Sequence, residues 1–167
     1  MRVISVVGWK NNGKTTLVVR LIEHLTERGL RVSTVKHAHH SVDLDQPGKD
    51  TWRHRQAGAG EVILATGRRW ILMHELRDEP EPPLMPLLAK LAPADLVIVE
   101  GFKGTSLPKI EVHRGERGTG LIARDDPDVV AVAADIPIDD LPVPVLHLDD
   151  IPAIARLALD RAREIET

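Results

Sequence analysis

The chain has 167 residues, of which 43% are hydrophobic and 28% are charged, and its formal net charge at pH 7 is −3. This length and composition exclude a disordered chain and predict one compact domain that spans residues 1–167. The negative net charge gives no reason to expect binding to nucleic acid or to an anionic membrane, and the absence of cysteine excludes disulfides and thiolate chemistry.

No apolar run in the sequence approaches the ~18–20 residues that a membrane-spanning helix needs. The first predicted strand begins almost at the N-terminus, which leaves no room for a signal peptide ahead of it. We therefore expect a cytoplasmic protein.

Residues 3–16 combine an apolar run of β-branched residues, a glycine-bounded loop and the start of an amphipathic helix. The loop fits G-x-x-x-x-G-K-[ST] from Gly8 to Thr15, in the strand–loop–helix context that the motif requires. Gly8 and Gly13 let backbone N–H groups point at a phosphate chain, and the helix N-terminus attracts the same anion. Lys14 is expected to reach the β- and γ-phosphates, and the Thr15 hydroxyl to ligate Mg²⁺. The stretch predicts a nucleotide phosphate site.

Beyond this loop, segments of helical periodicity alternate with short apolar runs. We predict helices from the loop to about Arg28 and at 52–57, 84–91 and 151–165. We predict strands at 31–35, 61–65, 69–73, 95–101, 108–113, 129–133 and 143–146, the pair at 61–73 forming a hairpin around Thr66-Gly67-Arg68. This order predicts an α/β protein of the P-loop NTPase type, with a mostly parallel sheet flanked by helices and a β-hairpin extension.

A P-loop protein needs a carboxylate that helps to hold the metal, typically at the C-terminal end of a buried strand. Glu100 ends the apolar run that begins after Asp95, and it is the best-placed candidate. We therefore assign Thr15 and Glu100 to the metal, and Lys14 and Glu100 to the catalytic machinery. The alternative is that Glu100 is an exposed residue leaving a strand.

The polar segment 36–51 lacks a sustained period and is long for a connection, as functional or disordered loops are. Its chemically active residues are His37, His39, His40, Asp43, Asp45 and Lys49. The histidines could ligate Zn²⁺ or Ni²⁺, or they could flank the phosphates and become ordered when nucleotide binds. The aspartates fit a Mg²⁺ shell or a transition-metal site equally well, and we assign Asp45 to the metal. A solvated polar loop remains an alternative.

No N-K-x-D motif identifies a residue that reads guanine. A carboxylate that accepts from N1–H and the N2 amino group would select guanine over adenine. Asp135, which follows the strand predicted at 129–133, is the best-placed acid, with Asp139 and Asp140 behind it. A surface loop acid is an equal alternative.

Several patterns are spread along nearly the whole chain: Lys36-His37-x-His39-His40, Asp43-x-Asp45-x-Pro47-Gly48-Lys49-Asp50-Thr51, Arg55-x-Ala57-Gly58-Ala59, Val99-Glu100-Gly101-Phe102-Lys103 and Ala131-Val132-Ala133-x-Asp135. Together they resemble the family of molybdopterin-guanine dinucleotide biosynthesis protein B (MobB). The resemblance implies a dimeric accessory protein that binds GTP and hydrolyses it weakly. It also implies an association with the MobA-type guanylyltransferase that joins GMP to molybdopterin.

The resemblance also implies roles for particular residues and ligands. GTP and Mg²⁺ would be bound, with molybdopterin or the molybdenum cofactor as a further candidate ligand, and Glu100 would take the Walker-B role. Carried over by position, Gly8, Gly13, Lys14, Thr15 and Thr16 would bind the nucleotide. Apart from the resemblance, we also expect Asn11, Asn12, His37, His39, Lys49 and Asp135 at the nucleotide. The run Trp9-Lys10-Asn11-Asn12 departs from the family, where small residues are commoner, but these positions mainly contribute backbone amides.

Our first hypothesis is a GTP-binding adaptor in which nucleotide orders residues 36–51. Hydrolysis is expected to be slow, because no glutamine is placed to position water and the candidate arginine fingers Arg53 and Arg55 have no assigned position. One rival is a small-molecule kinase whose acceptor binds at 36–58, and another is a metal-delivery GTPase that uses the histidines. The exposed hairpin edge at 61–73 and the family resemblance favour a homodimer.

Overall fold

The computed structural model describes residues 1–38 and 43–166. The chain divides into two compact units, one formed by Met1–His37 with Leu84–Thr167 and the other by Ala38–Pro83. The expectation of a single domain over residues 1–167 stays a prediction.

Strands and helices alternate along the described chain. The strands are, in chain order, Arg2–Val7 (β1), Val32–Lys36 (β2), Glu61–Ala65 (β3), Trp70–His74 (β4), Leu96–Glu100 (β5), Lys109–His113 (β6), Val129–Ala134 (β7), Val145–His147 (β8) and Arg163–Glu164 (β9). The α-helices are Lys14–Thr26 (α1), Asp50–Gln56 (α2), Leu84–Leu88 (α3) and Ile151–Arg161 (α4). Two 3₁₀ turns lie at Gly115–Arg117 and Ile122–Arg124.

The larger unit is built on a sheet with the strand order β2-β5-β1-β6-β7-β8, in which every neighbouring pair runs parallel. The short strand β9 joins it antiparallel, beside the start of β1. This arrangement confirms the predicted α/β class with a mostly parallel sheet. Because the central strands run parallel, their carboxyl ends meet at one edge of the sheet.

The central strands are apolar on both faces because helices cover both faces. On one face, α1 and α4 pack their apolar side chains against the sheet; the buried residues there include Ile4, Val6, Leu17, Leu21, Ile98, Val112 and Ile154. On the other face, α3 contributes Leu84 and Leu88, which pack with Val3, Val97 and Val99. The continuous apolar runs in the sequence are therefore those of fully covered strands.

The last helix ends at Arg161 rather than at Ile165, where the sequence predicted its end. Ala162 adopts an extended conformation (φ −58°, ψ 135°), and the residues after it pair with β1 as β9. Backbone hydrogen bonding to β1 thus replaces helical hydrogen bonding, an exchange that helical periodicity cannot reveal.

The third helix also ends earlier than predicted, at Leu88 rather than Leu91. The N–H groups of Lys90 and Leu91 donate to the carbonyls of Leu87 and Leu88, three residues back, at 3.1 Å each. The chain therefore tightens into turns at this point. The other predicted helices and strands are present, with ends shifted by a few residues.

The smaller unit contains α2 and an antiparallel hairpin of β3 and β4. Glu61 pairs with His74 and Ala65 with Trp70, which confirms the predicted hairpin. In the ranges that the structure describes, no helix is long and apolar enough to cross a membrane.

Candidate functional site

The candidate site lies at the carboxyl edge of the parallel sheet in the larger unit. The glycine-bounded loop, residues 8–13, joins β1 to α1, and Glu100 is the last residue of β5. The register of these neighbouring strands pairs Glu100 with Val6. The sheet therefore brings the predicted phosphate loop and the predicted metal carboxylate together.

Gly8 begins the phosphate-binding loop with a backbone conformation and a close contact that only glycine accommodates. Its φ is +149°, and a methyl group added at its Cα would lie 2.6 Å from the carbonyl oxygen of Val112. Gly13 ends the loop with φ +93°, and its carbonyl accepts the first helical hydrogen bond of α1 from Leu17 N–H at 3.0 Å. The two glycines thus occupy the two positions where the motif requires them.

Lys14 is folded back over the loop. Its Nζ donates to the carbonyl oxygens of Gly8 (3.0 Å) and Trp9 (2.9 Å). Burial lowers the pKa of Lys14 from its usual range; the positive charges of Lys103 and Lys36 add to this effect, and Glu100 opposes it. The lysine is therefore held where a negative charge would stabilise its ammonium form.

Thr15 and Glu100 are in direct contact. The Thr15 hydroxyl donates to Glu100 Oε1 at 2.7 Å, and the Glu100 residue is 9% exposed. Glu100 is thus not the exposed strand-end residue that the alternative interpretation described. Hydroxyl and carboxylate oxygens are ligands that Mg²⁺ accepts, so this pair fits the metal that the motif implies.

Lys36, the last residue of β2, reaches the same pair. Its Nζ lies 3.2 Å from Glu100 Oε1 and 3.4 Å from the Thr15 hydroxyl. A cation therefore already lies against both of the proposed metal ligands. The negative charge of Glu100 favours a cation at this position.

His37 lies beside this carboxylate through its backbone and its ring. Its N–H donates to the carbonyl of Glu100 at 2.9 Å, and its ring stacks on Phe102 with centroids 4.6 Å apart. Gly101 has φ +98°, and a methyl group there would lie 3.0 Å from His37 Cβ. The close approach of His37 therefore explains why a glycine, Gly101, follows the predicted Walker-B residue. A nucleotide-binding role for His37 stays a prediction.

Asp135 lies at the carboxyl end of β7, and its carboxylate is already engaged. Its Oδ1 accepts from Gly115 N–H at 3.0 Å and its Oδ2 from Arg114 Nη1 at 3.2 Å. The hydrogen bond from Gly115 N–H, followed by the charge of Arg114, holds the pKa of Asp135 below its usual range. Asp135 also lines a cavity of about 340 Å³ together with Asp139. Guanine recognition by Asp135 stays a prediction.

In the smaller unit, the predicted metal residue Asp45 forms an ion pair with Arg55. Asp45 Oδ2 accepts from Arg55 Nε at 3.1 Å, and its Oδ1 accepts from the Thr51 hydroxyl at 2.8 Å. The same guanidinium also binds Asp43 and Glu75, and these carboxylates raise its pKa. Arg55, one of the two candidate arginine fingers, is therefore engaged by three carboxylates. A metal role for Asp45 stays a prediction.

The remaining predicted residues do not form a described cluster. Lys49 is exposed and immediately precedes α2. His39 and His40 lie outside the described residues, so their predicted roles also stay predictions. Over residues 1–38 and 43–166, no group of three or more His, Asp or Glu side chains is arranged to hold a metal.

The structure adds cationic residues that the sequence analysis did not assign to the site. A cavity of about 390 Å³ at the phosphate loop is lined by Asn11, Gly13, Lys14, Thr15, Thr16, Glu100 and Arg117. Arg117 comes from the turn after β6, and Lys103 Nζ lies 4.1 Å from the centre of the Trp9 ring. The density of arginine and glycine after β6 was the available signal for Arg117. Lys36 and Lys103 belong to the patterns that carry the family resemblance, but the sequence analysis gave them no role at the site.

We predict that Gly8→Ala lowers the free energy of unfolding by about 3 kcal/mol or more, because overpacking and backbone strain each cost ~1–3 kcal/mol. Urea unfolding measures the change. Gly29→Ala is the matched control, since Gly29 also has a positive φ (+79°) but nothing lies within 4 Å of the added methyl group. We expect it to cost about 1 kcal/mol. Equal losses in the two variants would contradict the contact with Val112.

Comparisons with known proteins identify the family to which the chain is similar. The model of the MobB family, described as molybdopterin guanine dinucleotide synthesis protein B, matches residues 3–135. The chain is 39% identical over 162 residues to the molybdopterin-guanine dinucleotide biosynthesis adapter protein of Escherichia coli (strain K12), covering 94% of this chain and 91% of that protein. It is 41% identical over 155 residues to the adapter protein of the same name from Haemophilus influenzae, covering 91% and 84% respectively.

Among solved structures, the chain is similar to a crystal structure of a MobB protein homolog from Bacillus stearothermophilus. The TM-score is 0.73 and the sequence identity 29%, and the match covers 96% of this chain and 100% of that one. This likeness confirms the P-loop NTPase type of fold. From the family model and the curated relatives together, it follows that the chain belongs to the MobB family.

Proposed function

We propose that this protein is a cytoplasmic GTP-binding adapter in the biosynthesis of molybdopterin guanine dinucleotide, where it acts with a MobA-type guanylyltransferase. The observation that carries the proposal is the contact of the Thr15 hydroxyl with Glu100, 2.7 Å apart, beside Lys14 on the phosphate loop. The names of the curated relatives support the pathway and the adapter role.

The larger unit supplies the parts that bind a nucleotide triphosphate. Backbone amides of the loop and the N-terminus of α1 favour the phosphates, and Lys14 adds a positive charge. Thr15 and Glu100 would hold Mg²⁺, which compensates phosphate charge when it is bound. The ammonium group of Lys36 then has to move away from these two oxygens, because it and Mg²⁺ repel each other.

The cavity favours binding over rapid hydrolysis. Its described lining residues include no glutamine, and Glu100 is the carboxylate among them. That carboxylate contacts Thr15, the other proposed Mg²⁺ ligand, so in this proposal it binds the metal rather than a water molecule. We therefore propose that the protein is at most a slow GTP hydrolase.

Guanine selectivity is the part of the proposal that rests on acids beyond β7. Asp135 is engaged by Arg114 and Gly115, whereas Asp139 lines the same 340 Å³ cavity with an exposed side chain. A carboxylate in this cavity that accepts from guanine N1–H and the N2 amino group would select GTP over ATP. Asp135 remains our first candidate and Asp139 the second.

The first test is an equilibrium titration with GTP and, separately, ATP in the presence of Mg²⁺. We expect GTP to bind at least ~10-fold more tightly, which corresponds to ~1.4 kcal/mol. Relative to the wild type, Lys14→Ala should weaken GTP binding by ~10-fold or more, because it removes the positive charge next to the phosphates. Lys10→Ala is the matched control, since Lys10 is an exposed lysine of the same loop.

Two outcomes would contradict this part of the proposal. ATP binding equal to or tighter than GTP binding would favour a small-molecule kinase. Equal effects of the Lys14 and Lys10 substitutions would mean that general positive charge, rather than the motif lysine, binds the nucleotide.

The adapter role is tested by guanylyl transfer. We expect purified MobA-type guanylyltransferase to form more molybdopterin guanine dinucleotide from GTP when this protein is added. The Lys14→Ala variant should not support the increase, because the adapter would then lack bound nucleotide. Equal product with and without the wild-type protein would contradict the adapter role.

Direct binding of molybdopterin or the molybdenum cofactor to this protein stays a prediction, which calorimetry on the purified protein can test.

We also propose that the protein forms a homodimer through the hairpin of the smaller unit. Four large apolar side chains are exposed on it: Ile63 (63%), Leu64 (42%), Trp70 (65%) and Ile71 (37%). In the described chain, β3 and β4 pair with each other as a two-stranded sheet. An isolated two-stranded sheet with exposed apolar residues gains stability when another chain covers it.

The dimer is tested by sedimentation equilibrium. We expect the wild-type protein to sediment as a dimer and the double variant Ile63→Lys with Trp70→Lys to sediment as a monomer, because burying two ammonium groups is unfavourable. Met85→Lys is the control, since Met85 is 50% exposed but lies in α3 of the larger unit. A double variant that remains dimeric would place the interface elsewhere.

A further inference from the structure

The segment of residues 114–120, which follows β6, is held at both ends by carboxylates. Its start is fixed by the hydrogen bonds to Asp135 described above. Just beyond its end, the fully buried Glu111 accepts from the backbone N–H groups of Ile122 (2.9 Å) and Ala123 (2.8 Å). Charged acceptors of this kind form strong hydrogen bonds. The segment is therefore a positioned part of the larger unit.

The 114–120 segment is also attached to the phosphate loop. Trp9 Nε1 donates to the carbonyl of Gly120 at 2.7 Å. Asn12, which is fully buried, donates from Nδ2 to the Thr119 hydroxyl at 3.2 Å. Two of the variable positions of the motif thus use their side chains to hold this segment against the loop.

The 114–120 segment places Arg117 at the wall of the cavity around the phosphate loop. The guanidinium lies 3.3 Å from Glu116 Oε1, and these side chains are 47% and 66% exposed. An exposed ion pair of this kind contributes little stability. Exchanging that carboxylate for a phosphate oxygen therefore costs little, and an arginine binds phosphate in a geometry suited to two parallel hydrogen bonds.

Arg114 has a different task from Arg117. It donates to Asp135, and its Nε would lie 3.3 Å from a methyl group placed on Gly13. Arg114 is therefore held against the loop by its own carboxylate partner, while Arg117 faces the cavity. Of these two arginines, Arg117 is the one that lines the cavity at the phosphate loop.

We infer that Arg117 is a phosphate-binding arginine, which the 114–120 segment supplies from within the same chain. The inference rests on the proposed function, because the phosphate belongs to the proposed nucleotide. Two cations of this chain then bind the phosphates: Lys14 from the phosphate loop, and Arg117 from the segment after β6. No partner protein has to supply the arginine. The segment holds Arg117 in place through Trp9 and Asn12.

The test uses the full chain and the variants Arg117→Ala, Arg117→Lys and Arg124→Ala. Each is titrated with GTP and, separately, with inorganic tripolyphosphate, in the presence of Mg²⁺. We expect Arg117→Ala to weaken the binding of both probes by about 10-fold. Arg117→Lys should recover part of the loss, because it keeps the charge without the paired donors. An unchanged melting temperature shows that the fold is intact.

Arg124→Ala is the matched control, because Arg124 is an exposed arginine of the following turn and is not among the cavity residues. It should bind both probes as the wild type does. Wild-type affinities in Arg117→Ala would overturn the inference and leave GTP binding intact. Weaker tripolyphosphate binding in Arg117→Ala, with no preference for GTP over ATP, would support Arg117 and reject guanine selectivity. Wild-type protein that binds neither probe would overturn both proposals.

Discussion

The hydrogen bond from Thr15 to Glu100 depends on the parallel pairing of β1 with β5, and the rest of the site is arranged around it. The two residues are far apart in the chain, but the strand register places Glu100 beside Val6, directly before the phosphate loop. A parallel sheet directs the carboxyl ends of its strands to one edge, so groups that leave adjacent strands meet there. The contact between Thr15 and Glu100 is thus a consequence of strand order as much as of residue type.

The second feature of the site is an excess of positive charge around one buried carboxylate. Lys36 pairs with Glu100, burial and then the charge of Lys103 lower the pKa of Lys14, and Arg117 lines the same cavity. Arg117 has Glu116 beside it, but Glu100 alone does not compensate Lys14 and Lys36, and the burial of Lys14 makes this imbalance more costly than it is in water. A polyphosphate chain would relieve it. The electrostatics therefore lead to the same ligand as the backbone geometry of the loop does.

The phosphate loop has side chains at two of its variable positions, Trp9 and Asn12, that contact another part of the larger unit. Both side chains reach the 114–120 segment, and neither is among the residues that line the cavity at the phosphate loop. The ammonium group of Lys103 also lies over the face of the Trp9 ring, in a cation–π contact. The side chains of Trp9 and Asn12 thus connect two loops at the carboxyl edge of the sheet, and the glycines and lysine of the motif keep their positions.

The sequence by itself determined the α/β class, the phosphate loop from Gly8 to Thr15 and the carboxylate at Glu100, because these depend on local periodicity and on residue spacing. Tertiary structure alone decided that the C-terminal residues form β9, that Lys36 lies against the Thr15–Glu100 pair, and that Arg117 enters the cavity. It also decided that Asp135 binds the 114–120 segment and that Asp45 pairs with Arg55. These contacts join residues that are distant in the chain or side chains whose direction depends on packing, and no local pattern encodes strand order or the partner of an ion pair.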